Sequence, residues 1–134
     1  MEIPVEFKYI GRWFDALDEP ERVAASPAVY MIALERPFPR FRGTSRILYV
    51  GSTRRIGGQT STCRLRTYRN PGNGHGKYIG RVLRFLMAER ADAVPLLYMC
   101  VKPDANAARR SERRLLRQYK YEHLELPPLN RRTG

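Results

Sequence analysis

Cysteine is scarce in this 134-residue sequence, and the two cysteines, Cys63 and Cys100, have no metal-type spacing. This number and spacing argue against a disulfide scaffold and a cysteine zinc site. No apolar run approaches the roughly 20 residues that a membrane-spanning helix needs. The N-terminus carries Glu2 and Glu6 and lacks the basic-then-apolar layout of a signal peptide. We therefore expect a cytoplasmic protein with reduced thiols and no membrane association.

Carboxylates are missing from a long central stretch of the chain. From Arg36 through Arg84 there are twelve Lys or Arg residues and no Asp or Glu. Residues 1–35 hold three basic and seven acidic side chains, whereas residues 36–134 hold 22 basic and six acidic ones, and the whole chain has a net charge of +12. A solvated surface normally mixes both signs, because like charges repel each other. The stretch predicts a polyanionic partner, with nucleic acid ahead of an anionic membrane.

Length and an apolar fraction of 43% predict one globular domain. Residues 1–27 form an N-terminal cap in this interpretation, because Trp13, Phe14 and Leu17 suit one side of a short helix. Residues 28–134 then form the domain proper.

Residue periodicity predicts the order β, β, α, α, β, α after this cap. The strands are expected at 28–34, 46–50 and 95–101, and the helices near 60–69, at 77–91 and at 105–123. The connection "ERPFPRFRGTS" contains two prolines and a glycine, so the first two strands should form an antiparallel hairpin with a long, irregular tip. Asp104 or Asn106 would cap the last helix, and Pro127 and Pro128 would prevent its continuation. The predicted fold is α+β: a small three-stranded antiparallel sheet flanked by helices, with an N-terminal helical cap.

A carboxylate interrupts the apolar stripe of the last predicted helix. Spacings of three and four place Glu112 on one face with five other residues: Ala105, Ala108, Leu115, Leu116 and Tyr119. An unpaired buried carboxylate costs several kcal/mol, so Glu112 needs a partner. One reading is a salt bridge to a neighbouring arginine of the same helix. The other is a ligand of Mg²⁺, which prefers oxygen and often takes a single protein carboxylate.

Five short elements together resemble the GIY-YIG nuclease superfamily. They are "AVY" at 28–30, "YVG" at 49–51, an arginine soon afterwards, Glu112 on a later helix, and Asn130 after a proline. Each element is weak alone, but five in the right order are specific, and they cover Ala28 to Asn130. The resemblance implies a small three-stranded antiparallel sheet flanked by helices. It also implies a metal-dependent endonuclease that hydrolyses phosphodiester bonds of DNA.

The resemblance assigns a chemical role to each matching residue. Tyr30 would be the general base toward water with Tyr49 as its hydrogen-bonded neighbour, an order that could be reversed. A free tyrosine has a pKa near 10, so a phenolate base needs cations close to it. Arg64 would hold the scissile phosphate, with Arg66 as the alternative, because "RLRTY" matches the family pattern.

The resemblance further implies that Glu112 binds one Mg²⁺ or Mn²⁺ ion and that Asn130 orients the site or bonds the backbone. Ser52 stands where many members carry a lysine, and Arg54 or Arg55 would serve in its place. The expected nucleic-acid contacts are Arg54, Arg55, Arg66, Arg69 and Lys77.

Two other functions are compatible with the same residues. One is a catalytically silent nucleic-acid-binding module on the same fold, and the other is a basic structural or ribosome-associated protein. For a nuclease, specificity would have to come from the basic surface, the long loops, a targeting partner or a homodimer.

Overall fold

The computed structural model describes residues 1–13, 27–53, 81–83, 85 and 94–130. These contain four strands and one long helix: β1 (Lys8–Arg12), β2 (Ala28–Pro39), β3 (Thr44–Thr53), β4 (Leu96–Val101) and α1 (Ala105–His123). The fold is α+β, as predicted. The helix expected near 60–69 and most of the one expected at 77–91 lie outside the described residues, although residues 81–83 and 85 are helical.

The four strands form one antiparallel sheet in the order β1-β4-β2-β3. β2 lies inside the sheet, where Tyr30 is opposite Gly51 of β3 on one side and Met99 of β4 on the other. The three predicted strands are present, and the predicted antiparallel hairpin is β2–β3. The sheet nevertheless has four strands rather than three.

The additional strand, β1, comes from the segment that the sequence assigned to a helical cap. Lys8 pairs with Met99 and Arg12 with Leu96, and the register shifts between Tyr9 and Gly11. Gly11 has a φ of 152°, a conformation that residues with a side chain rarely adopt. β1 is an edge strand of five residues, and the cap predicted for residues 1–27 did not include it. The short helix of that cap was expected around Trp13, Phe14 and Leu17, and Trp13 itself is helical. Phe14 and Leu17, which supported that assignment, lie outside the described residues.

The hairpin tip also differs from its prediction. β2 continues to Pro39 and β3 begins at Thr44, so most of the predicted irregular loop is strand. β4 pairs with β2 only as far as Ala33, and beyond that point β2 bonds to a single neighbour. Proline lacks an N–H group, and it is tolerated in a strand that has one free side. A short turn remains, in which Gly43 has a φ of 74°.

The two faces of the sheet bury separate sets of apolar side chains. The face that contacts α1 buries Val29, Met31, Ile47 and Val50 with Ala108, Leu115, Leu116 and Tyr119 of the helix. The opposite face buries Tyr30, Tyr49, Ile32, Leu48, Leu97 and Met99 with Trp13, Leu83 and Leu129. Tyr49 is opposite Ile32 and Ile47 is opposite Ala33, so Leu48 is an extra residue in β3. This bulge puts Leu48 and Tyr49 on the same face. Tyr30 is opposite Gly51, two residues after Tyr49, so both motif tyrosines lie on the face away from α1.

α1 has the predicted boundaries and the first of the two predicted caps. The side chain of Asp104 accepts a hydrogen bond of 2.7 Å from the backbone N–H of Ala107. The helix ends where Leu124 adopts a φ of 63° and its N–H bonds the carbonyl of Lys120. Ser111 and His123, which the predicted stripe omitted, are buried as well. In the part of the chain that is described, no helix is both long enough and apolar enough to cross a membrane.

Candidate active site

Three consecutive residues near the end of β3, Val50–Gly51–Ser52, are the meeting point of four motif residues. Tyr30 and Tyr49 pack beside Gly51, Glu112 bonds Ser52, and Asn130 bonds Val50. Consecutive Cα atoms are about 3.8 Å apart, so these contacts all lie in one small region. Sequence positions separated by 100 residues are thereby brought together.

Gly51 provides the space that the two tyrosine rings occupy. A methyl group built on Gly51 would lie 2.6 Å from both Cζ and Oη of Tyr30 and 2.9 Å from Cε1 of Tyr49. The ring centroids of the two tyrosines are 5.9 Å apart and their planes are inclined by 45°. Tyr30 is 0% exposed and Tyr49 is 5% exposed. The glycine of the second motif is thus required by close packing against both phenols.

Glu112 approaches the same segment from the other face of the sheet. Its Oε2 atom accepts a hydrogen bond of 2.6 Å from Oγ of Ser52. Side chains alternate along a strand, so Ser52 points to the face covered by α1 while Gly51 lies under the tyrosines. The carboxylate and the phenols therefore flank β3 from opposite faces at adjacent residues.

The charge of Glu112 is not neutralised by the helix that carries it. Among the described residues, which include Arg109 and Arg113 on the same helix, Glu112 makes no ion pair. The salt bridge considered from the sequence is therefore not formed within this part of the structure. The carboxylate is partly buried, with a neutral hydroxyl as its hydrogen-bond donor.

Asn130 completes the cluster by bonding to the backbone of β3. Its Oδ1 accepts from the N–H of Val50 and its Nδ2 donates to the carbonyl of the same residue, both at 2.9 Å. The N–H of Leu129 also donates to the carbonyl of Leu48 at 2.9 Å. The Asn130 amide thus reproduces the paired bonds of a neighbouring strand, and it fixes the position of the residue before Gly51.

The oxygen atoms near Glu112 fit some kinds of metal coordination better than others. In the described part of the chain, no three His, Cys, Asp or Glu side chains are grouped as metal ligands. A cage built from protein ligands, as for Zn²⁺ or Ca²⁺, does not fit those residues. Mg²⁺ is often bound by one or two carboxylates together with water and substrate phosphate. The carboxylate of Glu112, which makes no ion pair with another described residue and has the Ser52 hydroxyl beside it, fits that simpler arrangement.

Several predicted site residues cannot be placed against this cluster. Arg64 and the predicted nucleic-acid contacts lie outside the described residues: Arg54, Arg55, Arg66, Arg69 and Lys77. The sequence identified Ser52 only as a departure from the family pattern. Its bond to Glu112 links residues 60 positions apart, and nothing in the local pattern indicates such a contact.

Three arginines of the carboxylate-free stretch have partners inside the protein. Arg40 forms an ion pair of 2.7 Å with Glu125 and donates to the carbonyl of Leu126. Arg42 donates to two carbonyls in the last turn of α1. Arg46 donates to the carbonyl of Leu34 and to the Tyr98 hydroxyl. These guanidinium groups hold the hairpin against the rest of the fold, so the net charge of the stretch overstates the number of cations free to bind a polyanion.

Comparisons of the chain with protein-family models, with curated proteins and with solved structures give no significant match.

Proposed function

We propose that this protein is a metal-dependent endonuclease that hydrolyses phosphodiester bonds of DNA, as its resemblance to GIY-YIG nucleases implies. The observation that carries the proposal is the convergence of Tyr30, Tyr49, Glu112 and Asn130 on Val50–Gly51–Ser52. The sequence motifs alone indicate the same four residues. The four residues contact one tripeptide, the phenols from one face of the sheet and Glu112 from the other, and this proximity supports a common role.

The tyrosine pair supplies the base in this proposal. Tyr30 removes a proton from the attacking water, and Tyr49 is the hydrogen-bonded neighbour that orients Tyr30. The reverse assignment of the two roles is the alternative. Because Tyr30 is 0% exposed, water and phosphate reach its hydroxyl only after the side chains covering it move. Substrate binding is therefore coupled to an opening of the tyrosine side of Gly51.

Glu112 provides the anionic group of the site. Its carboxylate would hold Mg²⁺ or Mn²⁺, with the Ser52 hydroxyl as a neighbouring oxygen. When bound, such an ion supplies a Lewis acid for the phosphate and the leaving oxygen. Asn130 has a positioning role, because its two bonds to Val50 fix the strand from which Gly51 and Ser52 project.

The remaining roles rest on the sequence motif. Arg64, or Arg66 in its place, holds the scissile phosphate and stabilises the charge that develops on it. Arg54, Arg55, Arg69 and Lys77 contact the DNA backbone.

The test is cleavage of supercoiled plasmid and of branched DNA in Mg²⁺, in Mn²⁺ and in EDTA. We expect cleavage with either metal and none in EDTA. Tyr30→Phe should lower the rate by orders of magnitude, because only the hydroxyl is removed. Tyr98→Phe is the matched control, since it removes a hydroxyl from a strand tyrosine packed with the α1-facing cluster. If Tyr30→Phe cleaves normally and Tyr49→Phe does not, Tyr49 is the general base and Tyr30 is its neighbour.

The burial of both phenols favours one alternative, the catalytically silent nucleic-acid-binding module. In that case Tyr30 and Tyr49 are core aromatic residues that fill the space above Gly51. DNA would then be bound but not cleaved under any metal condition. Tyr30→Phe and Tyr49→Phe would change the melting temperature alone.

A further inference from the structure

A shallow cleft lies beside the first half of α1, and the described residues that line it are all cationic or uncharged. Its volume is about 300 Å³, and it is lined by Lys102, Pro103, Ala107, Arg110, Ser111 and Arg114. Ala107 and Ser111 are small residues one helical turn apart, and Arg110 and Arg114 repeat that spacing beside them. The small residues provide the floor, while Lys102 and the two arginines bring three positive charges to it.

The three cations of the cleft are available to a ligand. Within the described residues, Lys102, Arg110 and Arg114 form no hydrogen bond or ion pair through their side chains. This distinguishes them from Arg40, Arg42 and Arg46, whose guanidinium groups bond to the protein itself. Asp104, two residues after Lys102, accepts a hydrogen bond from the Ala107 N–H as the helix cap. Glu112, two residues from both Arg110 and Arg114, accepts one from the Ser52 hydroxyl.

The cleft is separate from the candidate active site. Residues of an α-helix follow one another at about 100° around its axis, so Glu112 lies about that far from Ser111. Glu112 faces Ser52 of β3, whereas Lys102 and Pro103 directly follow β4. The cleft and the carboxylate thus occupy different flanks of α1, and the positive charge of the cleft is directed away from the Glu112 side.

We propose that this cleft binds phosphate groups of the DNA backbone and anchors the substrate at a distance from the bond that is cleaved. The inference rests on the proposed function in taking DNA as the polyanion. Arg110 and Arg114 can each contact a phosphate bidentately, and Lys102, which lines the same cleft, contributes a third cation. The anchor supplies affinity independent of base sequence, because phosphates carry no sequence information.

The experiment compares two double variants with equal loss of charge. Arg110→Gln/Arg114→Gln removes the cleft cations, and Arg113→Gln/Arg117→Gln removes an exposed pair with the same spacing on the same helix. Binding to a short DNA duplex is measured in EDTA, so that no cleavage occurs, over a salt series from 50 to 200 mM. Two lost phosphate contacts should reduce the slope of log K against log [salt] by about 1.8. Over this fourfold change in salt, the wild-type protein should then lose about tenfold more affinity than the cleft variant.

We expect the control pair to change the slope by less than half as much, and both variants to keep the wild-type melting temperature. Equal slopes for the two variants would overturn the anchor, and plasmid cleavage by the wild-type protein would leave the proposed function intact. A wild-type protein that does not bind duplex DNA would overturn both. Inorganic phosphate is the second probe. Phosphate could raise the melting temperature of the wild-type protein but not of the cleft variant, while the two proteins show the same salt dependence of DNA binding. The cleft would then be a small-anion site and not a DNA anchor.

Discussion

Replacing Gly51 by alanine tests whether the spacing between β3 and the tyrosines matters for cleavage. The φ angle of Gly51 is not positive, so alanine fits its backbone and the effect must come from the added methyl group. That group would lie 2.6 Å from Cζ and Oη of Tyr30, about 1 Å inside ordinary carbon contact distance. Tyr49 is 2.9 Å away on the other side, so neither ring can move freely. We expect Gly51→Ala to lower the free energy of unfolding by about 1–3 kcal/mol.

The catalytic effect should exceed what this loss of stability explains. A displacement of about 1 Å in a reacting group can reduce the rate about 100-fold, so kcat/KM per folded molecule should fall by roughly that factor. Urea unfolding and plasmid cleavage are measured on the same preparations. Ile47→Val is the control, since it should cost about 0.5–1.5 kcal/mol on the opposite face of the sheet and leave cleavage unchanged. Wild-type cleavage together with wild-type stability in Gly51→Ala would refute the close packing of the phenols on this glycine.

Three further substitutions test the groups around β3 and the end of α1. Glu112→Gln should abolish cleavage but change the free energy of unfolding by less than about 1 kcal/mol, because Glu112 has no ion pair in the described structure; a loss of about 3–5 kcal/mol would instead identify a structural ion pair. Asn130→Asp should destabilise the fold at neutral pH, because a carboxylate oxygen replaces the amide donor that faces the Val50 carbonyl. Its stability should recover when acid protonates that carboxylate. Asn130→Ala loses both hydrogen bonds and should show no such recovery, as measured by thermal melts at a series of pH values. The hydrogen bond from the Met1 ammonium group lowers the pKa of Glu122 from its ordinary value of 4.5. The stability that this contact contributes is fully present above pH 4.5 and is lost as the pH falls through the lower pKa of Glu122 in the folded protein. Acidification should therefore reduce the free energy of unfolding less in Glu122→Gln than in the wild-type protein. Equal losses in the two proteins would contradict the contact.

The last helix could be predicted from the sequence because its signals are local. Asp104 caps it and the apolar stripe repeats at three and four residues, and the structure gives the helix the same bounds, Ala105–His123. The apolar centres of β2, β3 and β4 were likewise visible as short runs of aliphatic and aromatic residues. The residues within each of these elements are enough to predict it, because its hydrophobic pattern is contained in that segment.

The errors concern features that depend on distant neighbours. Pro37 and Pro39 indicate a loop, yet they lie in a strand because β4 ends opposite Ala33 and leaves one side of β2 free. β1 is formed only through its pairing with β4, nearly ninety residues away. Arg40 and Arg42 count as free cations in the sequence, although the carbonyls and the carboxylate that bind them follow about 80 residues later.

The candidate site was predictable as a set of residues but not as a geometry. The motif order selected Tyr30, Tyr49, Glu112 and Asn130, whereas the placement of the phenols and the carboxylate on opposite faces depends on the register of β2 against β3, in which Tyr30 is opposite Gly51. The partnership of Ser52 with Glu112 depends on how α1 packs across the sheet, which no local pattern specifies.

The hydrogen bonds of the segment Pro127–Asn130 also have a consequence for self-association. An unpaired strand edge is a template for another copy of the chain, and the outer edge of β3 is instead occupied by the bonds from Leu129 and Asn130. At the other end of the sheet, β1 is five residues long, has a lysine and an arginine at its ends, and is irregular at Gly11. The bonds to Leu48 and Val50 and the short, irregular β1 thus disfavour addition of a foreign strand at these two places. We expect that a homodimer of this protein would not continue the sheet there.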